Sequence, residues 1–208
     1  MKYGRTSPIL PSIEVALELH SIQYISTPRL NRRGGGAAIT LMSDSQFHLS
    51  KLDRGTMSGD PSLEVCWGLL RLKKPTGRIK CIIVCAFYLP PNSRKKSALI
   101  EHISTNYFSL KSRHPNSSII CGGDKNDLHT QLLLNIDPSF RQIVTKPTYK
   151  QTILDVLITD IGQYYLEPII RPAVQPDNPN SASSSDHRIV FAKANTNSHQ
   201  PVLKEYKT

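Results

Sequence analysis

Two short stretches of this chain set acidic and amide side chains against apolar runs. Gly122-Gly123-Asp124-Lys125-Asn126 follows Ile119-Ile120-Cys121, and Ser185-Asp186-His187 precedes Ile189-Val190-Phe191-Ala192. A buried strand that delivers Asp, Asn and His at its ends suits divalent-metal chemistry on a phosphate ester, because carboxylates and amides are oxygen donors and imidazole exchanges protons near neutral pH. In the first stretch the glycines let backbone approach a ligand, and Asp124 and Asn126, two residues apart, point the same way in extended chain. An ordinary Gly-Asp turn accounts for the same residues.

Asp155 is more diagnostic. It lies within Ile153-Leu154-Asp155-Val156-Leu157-Ile158, where an unpaired carboxylate is costly and needs a cation, a histidine or strong donors. His187 is the natural partner, since an Asp on one ring nitrogen fixes the tautomer and raises the basicity of the other; a purely structural ion pair is the alternative. Tyr88 ends the longest apolar run, where its hydroxyl either reaches a phosphate oxygen or caps the core with its phenol in water. Arg32-Arg33-Gly34-Gly35-Gly36 has neither the spacing nor the strand–helix order of a Walker loop or a dinucleotide fingerprint. It reads as a glycine-rich turn or as a basic segment near the substrate.

The elements that must position these groups are mostly strands. Apolar runs of strand length cover Gly36–Met42, Glu64–Leu72, Ile79–Leu89, Ser118–Cys121, Thr152–Thr159, Leu166–Ile170 and Arg188–Ala192. Two of them, 65–72 and 79–88, are almost continuously apolar, as in strands covered on both faces, and the turn chemistry of Lys73-Lys74-Pro75-Thr76-Gly77-Arg78 predicts a hairpin between them. A helix is expected after Ser93, its cap, with Leu99, Ile103, Tyr107 and Leu110 on one face up to about Lys111, and a shorter one near Leu128–Ile136. Strands with helices interspersed predict a layered α+β or α/β sandwich. The segment Gln175–Ser185 reads as a long loop, and residues 195–208 as a flexible tail after one domain spanning 1–194.

At 208 residues with 38% hydrophobic composition, the chain has the bulk for one cored domain. Lys and Arg number 26 against 16 Asp and Glu, a net charge of +10. That balance fits either a polyanionic partner, through counterion release, or simply a basic surface. Cys66, Cys81, Cys85 and Cys121 sit in apolar runs without zinc-ligand spacing, so buried free thiols are expected. No signal peptide or membrane-spanning run is found, which predicts an intracellular, nuclear or cytoplasmic protein with no membrane partner.

Taken in order, Arg33-Gly34-Gly35-Gly36-Ala37-Ala38-Ile39, Phe87-Tyr88-Leu89-Pro90-Pro91, Gly122-Gly123-Asp124-Lys125-Asn126, Lys146-Pro147-Thr148-Tyr149 leading to Ile153-Leu154-Asp155, and Ser185-Asp186-His187 resemble the endonuclease/exonuclease/phosphatase superfamily. They are most similar to the apurinic-type endonuclease domain of non-LTR (LINE-like) retrotransposons. The resemblance implies a four-layered αββα, DNase I-like sandwich, Mg²⁺- or Mn²⁺-dependent cleavage of a phosphodiester, DNA as partner, and no small-molecule cofactor. It also implies roles: Asp124 positions or deprotonates the attacking water and Asn126 orients water or phosphate. His187, held protonated by Asp155, stabilises charge on phosphate oxygens; Asp186 lies near the metal or the leaving oxygen, and Tyr88 contacts the phosphate. Lys125 stands where the family carries an aromatic or Leu, and is expected to loosen the site or to turn outwards. The family's first strands, with an Asn and the principal metal-binding Glu, are expected to be missing, and neither Glu14 nor Glu18 is assigned as a ligand. The readings that follow are a retrotransposon-derived endonuclease, an inactive remnant that binds nucleic acid, or a phosphatase of the same superfamily.

Overall fold

The structure, a computed structural model, describes residues 22–29, 36–52, 60–74, 79–173 and 186–195. Its centre is a six-stranded mixed sheet built from β3 (Phe47–Lys51), β4 (Glu64–Leu72), β5 (Cys81–Tyr88), β6 (Ser117–Asp124), β7 (Arg141–Gln142) and β8 (Asp155–Thr159). The spatial order is β3-β4-β5-β6-β8-β7. Only β5 and β6 run parallel, and the chain between them forms the long helix Lys96–Arg113, as a parallel crossover requires. β4 and β5 pair antiparallel, as the hairpin predicts.

The helix packs on one face of the sheet. Leu99, Ile103, Tyr107 and Leu110 are buried against Trp67, Ile83, Cys85, Ile119 and Cys121, which form the larger core. On the opposite face lies a two-stranded ladder of β1 (Gln23–Pro28) and β2 (Gly36–Leu41), which buries Ala37, Ile39, Leu49 and Cys66 in a smaller core. Gly68 permits the approach, because a β-carbon there would stand 2.7 Å from the Ile25 Cδ1 methyl. A second ladder pairs β9 (Ile169–Arg171) with β10 (Ile189–Phe191). The result is an α+β sandwich. A helical layer outside the two small ladders is not found among the described residues.

Several elements depart from expectation. The long helix starts at Lys96, with Lys95 as its N-cap and no side-chain cap. Ser93 is instead part of the preceding turn, where its hydroxyl accepts from the Lys95 amide at 3.1 Å. β6 extends to Asp124, and β8 begins at Asp155 rather than enclosing it. β1 and β3 had no expectation, because they are short, mix polar and apolar residues and lie on half-exposed ladders. The short helix is Thr130–Leu134. All four cysteines are buried and free. The Gln175–Ser185 loop and the tail beyond Asn195 lie outside the described residues. No helix among the described residues is long and apolar enough to cross a membrane.

Candidate active site

Four strands meet at one end of the central sheet and place four polar side chains in a row. Glu64 opens β4 opposite Tyr88 at the end of β5; Tyr88 pairs with Asp124 at the end of β6; Asp124 pairs with Asp155 at the start of β8. Register partners share a face of the sheet, so all four lie on the face that carries β1 and β2. Gly123 makes this possible: a β-carbon there would collide with the carbonyl and ring of Phe87, so only glycine lets β5 and β6 stay paired up to the functional residues. Backbone bonds of 2.9 Å from Leu89 to Asp124 and from Lys125 to Leu154 hold Asp124 from both sides.

His187 completes the cluster. Its Nδ1 lies 2.9 Å from Asp155 Oδ2, and its Nε2 lies 4.0 Å from Asp124 Oδ2. The Tyr149 ring lies beside the imidazole, with centroids 5.4 Å apart. Thr148, fully buried, anchors the arrangement. Its hydroxyl accepts from the amides of Leu154 and Asp155 at 3.1 and 3.0 Å, while its carbonyl accepts from the Arg188 amide at 2.8 Å. One residue thus fixes the backbone on both sides of the Asp155–His187 pair.

The electrostatics follow from this packing. Burial pushes His187 down, but the hydrogen bond and charge of Asp155, with the charges of Asp124 and Asp186, outweigh it and lift the imidazole above its usual 6.5. Asp124 is raised above the usual carboxylate range by burial, against the opposing pull of the Asn126 amide and of His187, and with a further push from Asp155. An imidazole biased toward its protonated form therefore faces a carboxylate of raised basicity, the kind of pairing that acid–base chemistry uses.

Asn126 adopts a left-handed backbone with φ 44°. Its amide donates to Asp124 Oδ1 at 2.9 Å, and its Nδ2 donates to the Leu89 carbonyl at 2.8 Å. A side-chain N–H is thus committed to scaffold, and the amide oxygen is left to accept from a water. Tyr88 is half-buried beside Asp124, with the Arg29 guanidinium 5.1 Å above its ring. Asp186 is exposed and enters the site through its charge on His187. Lys125 does not turn outwards. It is 9% exposed, with Nζ 3.3 Å from the Asn126 carbonyl, and burial lowers its pKa. Ser185, Glu14 and Glu18 lie outside the described residues.

The described residues do not assemble a metal centre: no three His, Cys, Asp or Glu among them are placed to hold one ion. Asp124 and Asp186 supply oxygen donors of the right chemistry; Mg²⁺ is held by one or two carboxylates with water and substrate phosphate completing its shell, so the described residues offer part of such a site. Sequence reasoning also passed over Glu64, Arg29, Thr148 and Tyr149. Thr148 and Tyr149 lay within a quoted motif without a role, and Glu64 carries no local signal, since its place beside Tyr88 depends on strand register.

No family model matches the chain, and no curated protein matches it significantly. Solved structures do. The endonuclease domain of TRAS1, a telomere-specific non-LTR retrotransposon, superposes with a TM-score of 0.57 at 15% identity, covering 88% of this chain and 90% of that one. The human Nocturnin catalytic domain, solved with a sulfate anion, gives 0.60 at 13% identity over 88% and 76%. An endonuclease/exonuclease/phosphatase family protein from Bacteroides thetaiotaomicron gives 0.55 at 14% over 88% and 79%. The chain has the fold of the endonuclease/exonuclease/phosphatase proteins.

Proposed function

We propose that the chain is the phosphodiesterase module of a retrotransposon-type DNA endonuclease. The observation that carries this reading is the cluster in which Asp124 and Asp155 are register partners and His187 bridges them at 4.0 and 2.9 Å. In the proposed reaction Asp124 takes a proton from water, and the water oxygen bonds to phosphorus as the bond from phosphorus to a sugar oxygen breaks. That oxygen leaves and is protonated by solvent. His187, kept cationic by Asp155, donates to a non-bridging oxygen as charge accumulates there. Asn126 orients the water through its amide oxygen, and Tyr88 donates its hydroxyl to the phosphate. The net charge of +10 and the likeness to a retrotransposon endonuclease domain support DNA as substrate.

Dependence on Mg²⁺ or Mn²⁺ belongs to this proposal as an assay expectation, and none of the steps above is routed through the ion. Purified protein with either ion should nick supercoiled plasmid. Nicking should stop with chelator and fall by about 10²–10⁴-fold in Asp124→Ala and His187→Ala. Absence of nicking across divalent metals would refute the reading. A second reading, an inactive domain that retains DNA, is favoured by the incomplete donor set among the described residues. It predicts salt-sensitive DNA binding without cleavage. Turnover of a small phosphomonoester in place of plasmid nicking would instead indicate a phosphatase.

A further inference from the structure

The row of strand ends does not stop at Tyr88. On the far side of that ring from Asp124 the structure has a cavity of about 560 Å³, within the ~300–1,000 Å³ typical of ligand sites. Its walls include Arg29, Glu64, Tyr88, Pro90, Ser93 and Lys95. Tyr88 is shared with the candidate active site through its pairing with Asp124. Neighbouring strands are ~4.8 Å apart, so Glu64, two strands from Asp124, stands roughly 10 Å along the row.

Two cations face this cavity, each held by a carboxylate. Arg29 Nε bonds Glu64 Oε1 at 2.7 Å, and the guanidinium plane lies over Tyr88. Lys95 Nζ meets the Ser62 hydroxyl and lies 3.5 Å from Asp60 Oδ2. The first pair is unusual. The Glu64 side chain is 9% exposed, and its second oxygen is buried with no hydrogen-bond partner. A buried carboxylate satisfied at one oxygen is a poor device for stability. It does fix an arginine, because the guanidinium is held by Glu64 through Nε and also interacts with Tyr88, so its remaining N–H groups are presented in a set orientation.

We propose that this cavity is a subsite for the nucleotide next to the reacting phosphate. Arg29 takes the flanking phosphodiester, Lys95 at the rim takes the neighbouring phosphate, and the sugar and base lie against Pro90. Glu64 is a positioning residue that acts through Arg29. The inference rests on the DNA-substrate reading, but its test does not require cleavage.

The experiment measures the dissociation constant of a fluorescent DNA duplex by anisotropy at several NaCl concentrations. It compares the wild type with Arg29→Gln/Glu64→Gln and with Lys95→Gln/Asp60→Asn. Each double variant removes one cation and one carboxylate, so the net charge stays at +10. The control is Lys111→Gln/Asp160→Asn, a pair 3.2 Å apart near the opposite end of β6. Loss of one phosphate contact should lower the slope of log Kd against log salt by about 0.9 in each cavity variant and leave the control unchanged. The second pair is partly exposed and far less buried than the first, so it reports on the cavity even if the first disturbs folding. Wild-type slopes in both cavity variants would overturn the subsite while leaving the nuclease reading intact. No DNA binding by the wild type would overturn both, and lack of nicking with the expected slope changes would overturn only the nuclease reading.

Discussion

His187 and Asp124 lie 4.0 Å apart and both hold their protons to higher pH than usual, which makes pH the sharpest probe at the scale of single residues. Cleavage should follow a bell-shaped pH profile. Its acid limb reports Asp124 ionising above the usual carboxylate range, and its alkaline limb reports His187 losing its proton above 6.5. Stability should carry the same signature. The folded pKa of His187 is raised, so the stabilisation from its pairing with Asp155 is complete below the unfolded value and is lost as pH rises through the folded one. The melting-temperature gap between wild type and His187→Asn should therefore narrow across that window, and a pH-independent gap would contradict the pairing. Lys125 is a cation buried behind the site, and Lys125→Leu should raise stability by about 1 kcal/mol in urea unfolding. The Asp155–His187 partnership was legible in the chain because an acid in an apolar stretch requires a counter-group. The burial of Lys125 was not, because a lysine stem reaches water or folds back according to neighbours that are remote in sequence.

At the scale of elements the site depends on how closely β5 and β6 approach. Gly123→Ala sets a methyl against the Phe87 carbonyl and should cost at least about 3 kcal/mol or abolish folding. Gly122→Ala meets the Leu157 Cδ1 methyl at 3.1 Å and the Val156 carbonyl at an ordinary 3.5 Å, and should cost about 1 kcal/mol or less, since a side-chain end can shift. A denaturation comparison of the two variants separates close backbone approach from general loss of glycine. Thr148→Val keeps the shape but removes the acceptor shared by the Leu154 and Asp155 amides; it should cost about 1–3 kcal/mol and depress cleavage more than it depresses DNA binding. β4 and β5 were legible almost to their ends, because strands covered on both faces are written as continuous apolar runs. β1 and β3 were not, since Gln23–Pro28 and Phe47–Lys51 mix polar and apolar residues and take their pairing from strands elsewhere. The helix start was misplaced for a related reason: Ser93 has the chemistry of a cap, but its hydroxyl serves the turn that leaves Pro90.

At the scale of the molecule, one body of sheet and helix supplies Tyr88, Asp124, Asn126 and Asp155, while His187 comes from elsewhere. It sits on the segment leading into β10, a three-residue strand paired with a three-residue β9. Ile169, Ile189 and Phe191 on that ladder are about half exposed, so little apolar burial ties it down. Its links to the main sheet include the Arg188 amide on Thr148, the Arg188 guanidinium on Pro147 at 3.2 Å, and the His187–Asp155 bond itself. Opening of this short ladder would take His187 away from Asp124 and Asp155 without unfolding the sheet, and with it the proposed reaction. Cleavage should accordingly collapse on heating several degrees before far-UV circular dichroism registers loss of structure, and DNA retention should persist through that interval. The working temperature of the proposed activity is then set by how often a six-residue clasp comes undone, and mutations that tighten the clasp would extend its thermal range while leaving the melting point of the fold where it was.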